Sequence, residues 1–378
     1  MTQFLRNPAA LGLAIAAAAA AFVAQPVLAQ VVLGVSAPLT GPRALLGRNT
    51  KQGVDMAVAE INAAGGVLGK PMQVVYADDQ ADNPNAAINA VNRLMKVDKV
   101  PLMLGPHFSV AQMATQKSYC DGTIISITGA SGIPVTAGSC NYVIRARAND
   151  NTQSKALVAY ARNSLKLDKI GVIFVNDDFG KGGADRVVKA IEAAGLKPVA
   201  VESHNADDKD FSAQLGRLSK AGAAMAILWT HDNEAALIVR QAKQLGLPIK
   251  FAGSTSLSQP VFIKLAGDAA EGAISSSDFV PANPDPKTQE FVKKHQALYK
   301  SEAELYAATY YDATYLAAKA ITMAGSTEPA KVREAFGKLQ YSGILADYRC
   351  EANGDCNHQI HIVEVQKGIP VVKTTVKF

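Results

Sequence analysis

Short apolar runs alternate with amphipathic helical segments along almost the whole chain, and this alternation constrains the fold more than any other feature. In the first part, strand-like runs occur at 31–36, 72–76, 100–104 and 123–127. Helical spacing of apolar residues separates the early runs, at 50–63 and 86–95. A strand–helix–strand–helix order predicts a parallel sheet that is covered by helices.

The same alternation begins again after residue 150. We predict strands at 170–175, 197–201, 225–229 and 249–252, with helices between them. After Ala273 the order changes to helices at 287–299, 305–324 and 329–339, and then to strands with a turn at Asn353-Gly354. This last block is too small for a sheet of its own, so we expect it to complete the two earlier units. The predicted fold is α/β, with two doubly wound parallel-sheet lobes between which the chain crosses more than once; 378 residues suit two domains.

The first 29 residues have the pattern of a secretory signal. Arg6 provides the charged region, and Leu11 to Ala24 forms an apolar stretch of 14 residues. Val27-Leu28-Ala29 resembles a cleavage site before Gln30. A membrane anchor is the alternative, but 14 residues are too few to span a bilayer comfortably. We therefore expect residues 1–29 to be a signal peptide and the mature protein to be exported to the periplasm.

The charge of the chain argues against a nucleic-acid partner. The net charge is +5, and basic residues do not cluster with interleaved aromatic residues.

Export makes the four cysteines informative, because an oxidising compartment favours disulfides. The simplest of three connectivities pairs Cys120 with Cys140 and Cys350 with Cys356. Metal binding is less favoured, because there is no C-x-x-C spacing, and His358 and His361 on a strand would face opposite sides. We expect neither a metal nor a cofactor.

The stretch Val100 to Ala114 contains the clearest candidate site. A short buried strand is broken by Gly105-Pro106 and is followed at once by a helix that begins near Ser109. Unpaired N–H groups and the helix dipole at such a turn favour an anion, typically a carboxylate or phosphate. The alternative is that Ser109 only caps the helix.

Ligands of open parallel sheets bind at the carboxyl ends of the strands. This rule selects the loops 39–46, 78–79, 105–109, 128–132, 176–180, 230–234 and 253–256. Several alternatives stay open: 128–132 could be a plain turn, and His231 could be a cap or a surface residue. Asp177 and Asp178 are better explained as a solvated loop with a cap, Arg43 as a surface charge, and Phe179 as either core or a ligand wall.

Sequence patterns of catalysis are missing. The chain has no G-x-S-x-G, H-E-x-x-H, G-x-x-x-x-G-K-[ST] or strand-following G-x-G-x-x-G motif. The adjacent carboxylates Asp78–Asp79 and Asp177–Asp178 would point apart, so neither pair suits acid–base catalysis. We therefore expect a binding protein and not an enzyme.

Four segments carry a family resemblance: GVDMAVAEINAAGGVLGKPMQVVYADDQADNP (53–84), LTGP (39–42), DDFGKG (177–182) and YYDATYLAAKA (310–320). They resemble the signature of periplasmic solute-binding proteins of the branched-chain amino acid type, which are type I periplasmic binding proteins. The resemblance covers essentially the whole mature chain, and the first segment is the most specific.

The resemblance implies two lobes joined by three hinge crossings, near Ala148, Ser277 and Ser342. Lobe 1 would comprise residues 30–148 and 278–342, and lobe 2 residues 149–277 and 343–378. Such proteins bind a ligand in the cleft, and closure hands it to the permease of an ABC transporter in the membrane.

The resemblance also implies a ligand site. By position, Ser109, Ala130 and Ser131 would hold the ligand carboxylate and part of its ammonium, with Phe108 as a further contact, and Phe179 would wall the cleft from the second lobe. Relatives often have Thr where Gly132 falls, and tyrosines near Leu46 and His231. The leucine-binding relatives have an acidic residue near Thr255 that pairs with the ligand ammonium, but the loop here is uncharged.

A buried ammonium without an anionic partner is costly. Either another acid substitutes, with Asp278 or Asp177 as candidates, or the ligand is not an α-amino acid. We expect a largely monomeric protein that imports a small carboxylate, either an apolar amino acid or an aliphatic or aromatic organic acid. The alternative is a sensing module for an amide such as urea, or for an amino acid, in a receptor or regulatory system.

Overall fold

The computed structural model describes residues 30–81, 83–120, 124–137, 141–356 and 359–377. Its first unit holds a five-stranded sheet with the order β2-β1-β3-β4-β5, and every neighbouring pair is parallel. The elements of this part are β1 (Val31–Ala37), α1 (Ala44–Ala63), β2 (Met72–Asp78), α2 (Pro84–Lys96), β3 (Leu102–Leu104), α3 (Ser109–Cys120), β4 (Ile125–Thr128) and β5 (Val143–Arg145).

The second unit holds a seven-stranded sheet. Its middle elements are α4 (Asp150–Asn163), β6 (Ile170–Val175), α5 (Asp178–Ala193), β7 (Val201–His204), α6 (Ser212–Lys220), β8 (Met225–Trp229), α7 (Asp232–Gln244), β9 (Lys250–Gly253), α8 (Pro260–Ala266) and β10 (Ile274–Ser277). The chain continues with α9 (Pro286–Tyr299), α10 (Leu305–Ala324), α11 (Pro329–Phe336), β11 (Gln340–Ser342), β12 (Asp347–Arg349), β13 (Gln359–Gln366) and β14 (Ile369–Lys377). The sheet order is β14-β13-β10-β9-β8-β6-β7, and only β13 and β14 run antiparallel to their neighbours.

Both sheets are covered by helices on both faces, as the alternation predicted. In the first lobe, α1 and α10 pack on one face, while the second face carries Val91, Tyr119 and other apolar residues of α2 and α3. Gly53 lets α1 and α10 approach closely, because a Cβ there would lie 2.0 Å from the carbonyl oxygen of Ala307. This contact fixes the start of α10 beside the cleft.

One local prediction differs from the structure. The strand predicted at 197–201 begins only at Val201, after Pro198, which has no N–H to give to a neighbouring strand. The chain turns at Asn353-Gly354, as predicted, where the Gly354 N–H donates to the Glu351 carbonyl. A second turn, at Lys367-Gly368, joins β13 and β14, and both of its residues have positive φ.

The segment that follows the predicted third crossing near Ser342 packs on the first sheet. Residues of the segment 345–356, including Leu345, Tyr348 and Cys356, belong to the core of the first lobe. The reason is the buried Asp312 carboxylate of α10, which accepts the N–H groups of Ile344 and Leu345. The chain reaches the second sheet only at Gln359.

Candidate functional site

A cleft lies between the two lobes at the carboxyl ends of their strands, with a cavity volume of about 40 Å³. Eight of the nine residues predicted as ligand contacts line it: Leu46, Phe108, Ser109, Ala130, Ser131, Phe179, His231 and Thr255. The same cavity is also lined by Arg43, His107, Gly129, Arg147, Asp232, Ser256, Gln259 and Tyr306. We call the residues from α1, the turns after β3 and β4, and α10 the first-lobe wall. Those from positions 179–259 form the second-lobe wall.

Ser109 is the first residue of α3, and its hydroxyl bonds outside its own helix. Its Oγ accepts the N–H of Gly132 at 3.1 Å, so this serine ties the turn after β3 to the turn after β4. A Cβ at position 132 would lie 2.9 Å from Ser109 Oγ, so a larger residue there would displace the Ser109 hydroxyl.

The turn after β4 leaves one N–H for a ligand. The amides of Ala130 and Gly132 donate to Thr128 Oγ1 and Ser109 Oγ. The carbonyl of Ser131 accepts the N–H of Asp150, whose carboxyl has its pKa raised to about 6 by burial. The N–H of Ser131 has no acceptor within the described part of the chain.

Arg147 places a buried positive charge in the cleft, on the crossing between β5 and α4. Its side chain is 3% exposed. Nε donates to Asp278 Oδ2 at 2.9 Å, and Nη2 donates to Thr255 Oγ1 at 2.9 Å. Burial disfavours this charge, but the Asp278 carboxylate raises the pKa of Arg147 above its usual value. These bonds use two of the five guanidinium donors, and the others have no acceptor among the residues described.

Asp278 is the one predicted contact that does not line the cavity. It lies behind Arg147 and also accepts the N–H of Ala148 at 3.0 Å. Its carboxylate therefore has protein partners in the place of a ligand ammonium.

His107 contributes a neutral aromatic ring to the first-lobe wall. Burial, together with the positive charges of Arg147 and Arg43, holds its pKa well below the usual range. The ring lies 3.9 Å from that of Tyr306, centroid to centroid, and Nδ1 bonds with Thr50 Oγ1.

The second-lobe wall presents aromatic rings. Phe179 stacks on His231 with a centroid distance of 5.1 Å, and Phe108 meets the same histidine edge-on from the first lobe. Asp177 caps α5 through the N–H of Gly180, as predicted, and its Oδ2 lies 3.0 Å from His231 Nε2. Although burial opposes it, these contacts hold the pKa of Asp177 below its usual value.

Arg43 is not the surface charge that the sequence favoured. It is 8% exposed and reaches across the cleft to Asp232 at the start of α7, with Nη1 3.2 Å from Oδ1. Its guanidinium also lies 5.4 Å from the Phe108 ring centre. This ion pair joins the two walls directly.

Arg147, Asp232, Tyr306 and Gln259 were missed as site residues. Applying the strand-end rule to β5 would have pointed to Arg147, and Asp232 lies within a loop that the rule selected. Tyr306 has no strand-end signal, because it reaches the cleft through the contact between α1 and α10. Asp78, in another selected loop, instead clamps the N–H groups of Leu39 and Thr40.

Cys350 and Cys356 form a disulfide, as predicted. The other predicted pair includes Cys140, which lies outside the described residues, as does His358. The described ranges contain no group of three or more His, Cys, Asp or Glu residues that could hold a metal ion. No helix in those ranges is long and apolar enough to cross a bilayer.

Comparisons with known proteins agree with this architecture. A family model described as periplasmic binding protein matches residues 30–369. The chain is 31% identical over 326 residues to a leucine-, isoleucine-, valine-, threonine- and alanine-binding protein of Pseudomonas aeruginosa, covering 85% of this chain and 86% of that protein.

Two solved structures have the same fold. A leucine-binding protein from Thermotoga maritima superposes with a TM-score of 0.85 at 24% identity, over 92% of this chain and 99% of the other. A solute-binding protein of an ABC transporter from Rhodopseudomonas palustris, in complex with 3,4-dihydroxybenzoic acid, gives a TM-score of 0.83 at 18% identity. That alignment covers 92% of this chain and 97% of the other.

Proposed function

The chain belongs to the periplasmic binding protein family, in its branched-chain amino acid type, and from that premise we propose that it captures a small organic acid without an ammonium group. The acid has an apolar or aromatic body. The protein binds it in the periplasm after export, and closure of the cleft delivers it to the membrane permease of an ABC importer. It acts mainly as a monomer and performs no chemistry on its ligand.

Arg147 is the observation that carries this proposal. A buried guanidinium with unused donors lines the cleft, and a charge-assisted bond from such a group to a carboxylate is among the strong ones. The N–H of Ser131 and the start of α3 offer further donors to the same anion. Ser109 and Ser131 thus form the acid-binding part of the proposed site with Arg147, and Ala130 lines it with its N–H already donated to Thr128 Oγ1.

The acids near the cleft support a ligand without an ammonium. Thr255 lies near the position at which the leucine-binding relatives have an acidic residue for the ligand ammonium. Here its hydroxyl accepts a hydrogen bond from Arg147. Asp278 and Asp177 already pair with Arg147 and His231. Asp232 faces Arg43. These three carboxylates already have partners, so a ligand ammonium would be buried beside them without an anion of its own, which disfavours α-amino acids.

The rings of the cleft favour a flat apolar body. Phe108, Phe179, His231 and Tyr306 surround the cavity together with Leu46. Aromatic side chains prefer offset or edge-to-face partners, which an aromatic acid can provide. The complex of the Rhodopseudomonas palustris protein with 3,4-dihydroxybenzoic acid supports the idea that this fold accommodates such a ligand.

Isothermal titration with matched ligand pairs tests the proposal. The pairs are 3-phenylpropionate with phenylalanine and 4-methylpentanoate with leucine, which differ only by the ammonium group. We expect each acid to bind at least about 10-fold more tightly than its amino acid. The reverse order would overturn the organic-acid assignment in favour of an amino-acid carrier.

A third pair, benzoate with benzamide, separates a carboxylate site from an amide sensor. Benzamide carries no charge for Arg147, so we expect it to bind more weakly than benzoate. Equal affinities would favour the sensing function. Mass spectrometry of the ligand that is carried through purification identifies the natural compound directly.

A further inference from the structure

The loop closed by the Cys350–Cys356 disulfide lies outside the cleft, yet it contacts the residue that braces the turn after β4. We propose that this loop is a positioning device, in which Asp355 orients Arg145 and Arg145 aims the Ser131 N–H into the cleft. The link to ligand affinity rests on the proposed function; the positioning itself does not.

Arg145 holds the turn after β4 through hydrogen bonds to two of its carbonyl oxygens. It is the last residue of β5 and is fully buried. Its Nη1 donates to the carbonyl oxygens of Ala130 at 2.9 Å and Gly132 at 2.8 Å. The Ala130 carbonyl belongs to the peptide unit that carries the Ser131 N–H, and the Gly132 carbonyl belongs to the unit that follows Gly132, so one guanidinium holds two peptide units of this turn.

The geometry of the peptide unit explains how these hydrogen bonds orient the Ser131 N–H. The carbonyl of Ala130 and the N–H of Ser131 belong to one planar trans peptide unit and point in opposite directions. Holding that carbonyl on Arg145 therefore points the Ser131 N–H away from Arg145. The next peptide unit is fixed by the Asp150 N–H and by Ser109 Oγ.

Asp355 holds Arg145 in place. Its Oδ1 accepts from Arg145 Nε at 2.6 Å and from Thr136 Oγ1 at 2.9 Å. Thr136 Oγ1 in turn accepts from Arg145 Nη2 at 2.7 Å. A buried guanidinium needs a charged partner, because an unpaired charge in the interior is costly.

The disulfide loop holds Asp355. Cys350 and Cys356 close it, and the N–H of Glu351 donates to the carbonyl of Asp355 at 2.7 Å. Gly354, at φ +93°, lies against β5: its carbonyl accepts the Arg145 N–H, and a Cβ there would come within 1.9 Å of the Val143 oxygen. The loop is therefore seated on the strand that ends at Arg145.

Asp355 also contacts the hinge. Its Oδ2 accepts from Asn149 Nδ2 at 3.3 Å, and Asn149 caps α4 on the first crossing. Asp355 itself stands four residues before β13 of the second sheet. One carboxylate thus links the turn to the first crossing and to the segment that precedes β13.

Hydrogen exchange of the ligand-free protein tests the positioning. We expect Asp355→Asn to speed amide exchange in the segment 129–137 by about 10-fold or more, with α7 of the second lobe unchanged. Glu351→Gln is the matched control, because it removes the same charge from an exposed side chain in the same loop. Unchanged exchange in 129–137 would overturn the proposal.

The double variant Cys350→Ser/Cys356→Ser keeps the Arg145–Asp355 pair and frees only the loop. It should raise exchange in the same segment to a smaller extent, and it provides the test if Asp355→Asn does not fold. Unchanged amide exchange in this double variant would show that the disulfide takes no part in the positioning.

Benzoate affinity, measured well below the melting temperature, tests the functional link. A purely structural defect would lower the melting temperature and leave the affinity of the folded protein unchanged. We expect about a 10-fold loss in Asp355→Asn and none in Glu351→Gln. Faster exchange with unchanged affinity would refute the link to binding. If the wild-type protein binds none of the acids while exchange responds as expected, the proposed function fails and the positioning stands.

Discussion

The two walls of the cleft are built in different ways. The first-lobe wall offers backbone groups, with the Ser131 N–H held in place by Arg145 and Ser109. The second-lobe wall offers side chains, with Phe179 and His231 stacked on each other. A fixed backbone N–H recognises a group that all ligands of a class share, which in the proposed function is a carboxylate, whereas side chains differ between proteins and select the body of the ligand.

Arg147 lines the cleft and is the proposed partner of the ligand carboxylate, so its loss should have the largest effect. We expect Arg147→Met to weaken the binding of benzoate by about 3 kcal/mol, or roughly 100-fold, in isothermal titration. The same change leaves Asp278 buried without its partner and should cost about 3–5 kcal/mol of unfolding free energy.

A double variant separates these two effects. Arg147→Met/Asp278→Asn removes the charged pair, so it should recover much of the stability without recovering the affinity. Recovery of benzoate binding in the double variant would contradict the role of Arg147 as the carboxylate partner.

A substitution at Ser109 tests the hydrogen bond that joins the two turns of the first-lobe wall. Loss of the Ser109 hydroxyl removes a donor from the proposed carboxylate site and leaves the Gly132 N–H without an acceptor. We expect Ser109→Ala to weaken carboxylate binding by about 1–3 kcal/mol. Ser256→Ala makes the same deletion on the second-lobe wall, and an equal loss there would break the distinction between the walls.

The second-lobe wall should affect ligand choice more than overall affinity. Phe179→Leu should weaken aromatic acids by about 1 kcal/mol, because it removes a ring partner, and leave 4-methylpentanoate nearly unaffected. Titration of both ligands measures this difference. Equal losses for the two would show that Phe179 only shapes the lobe.

The smallest effect concerns a buried acid behind the first-lobe wall. Burial raises the pKa of Glu304, which caps α10 beside Tyr306, from 4.5 to about 7. The folded state then binds this proton more tightly than the unfolded state, so the contribution of Glu304 to stability is lost as the pH rises from about 4.5 to about 7.

Glu304→Gln keeps an oxygen for the cap and removes the titration. We expect the melting temperature of the variant minus that of the wild type to be larger at pH 8 than at pH 4, by at least about 2 °C. Glu302→Gln, an exposed neighbour, should show no such difference. A pH-independent offset for Glu304→Gln would contradict the raised pKa.

Local patterns were enough for much of the fold. The span of α10 matches the predicted 305–324, and α9 differs from its prediction by one residue at the start. The packing of the segment after Ser342 on the first sheet could not be predicted in this way, because it depends on Asp312, far away in the chain, which accepts the N–H groups of Ile344 and Leu345.

The sequence by itself determined the two-lobe α/β fold, the family and most of the loops that line the cleft. Periodicity and strand-end loops are local properties, so they can be read before the chain folds. Only the tertiary structure showed that Arg147 is buried beside Asp278, that Arg43 spans the cleft to Asp232, and that Asp355 braces the turn through Arg145. The physical reason is that the ion-pair partner of a charged side chain, and the residues that bury it, lie far away in the chain. A local sequence pattern therefore does not predict them.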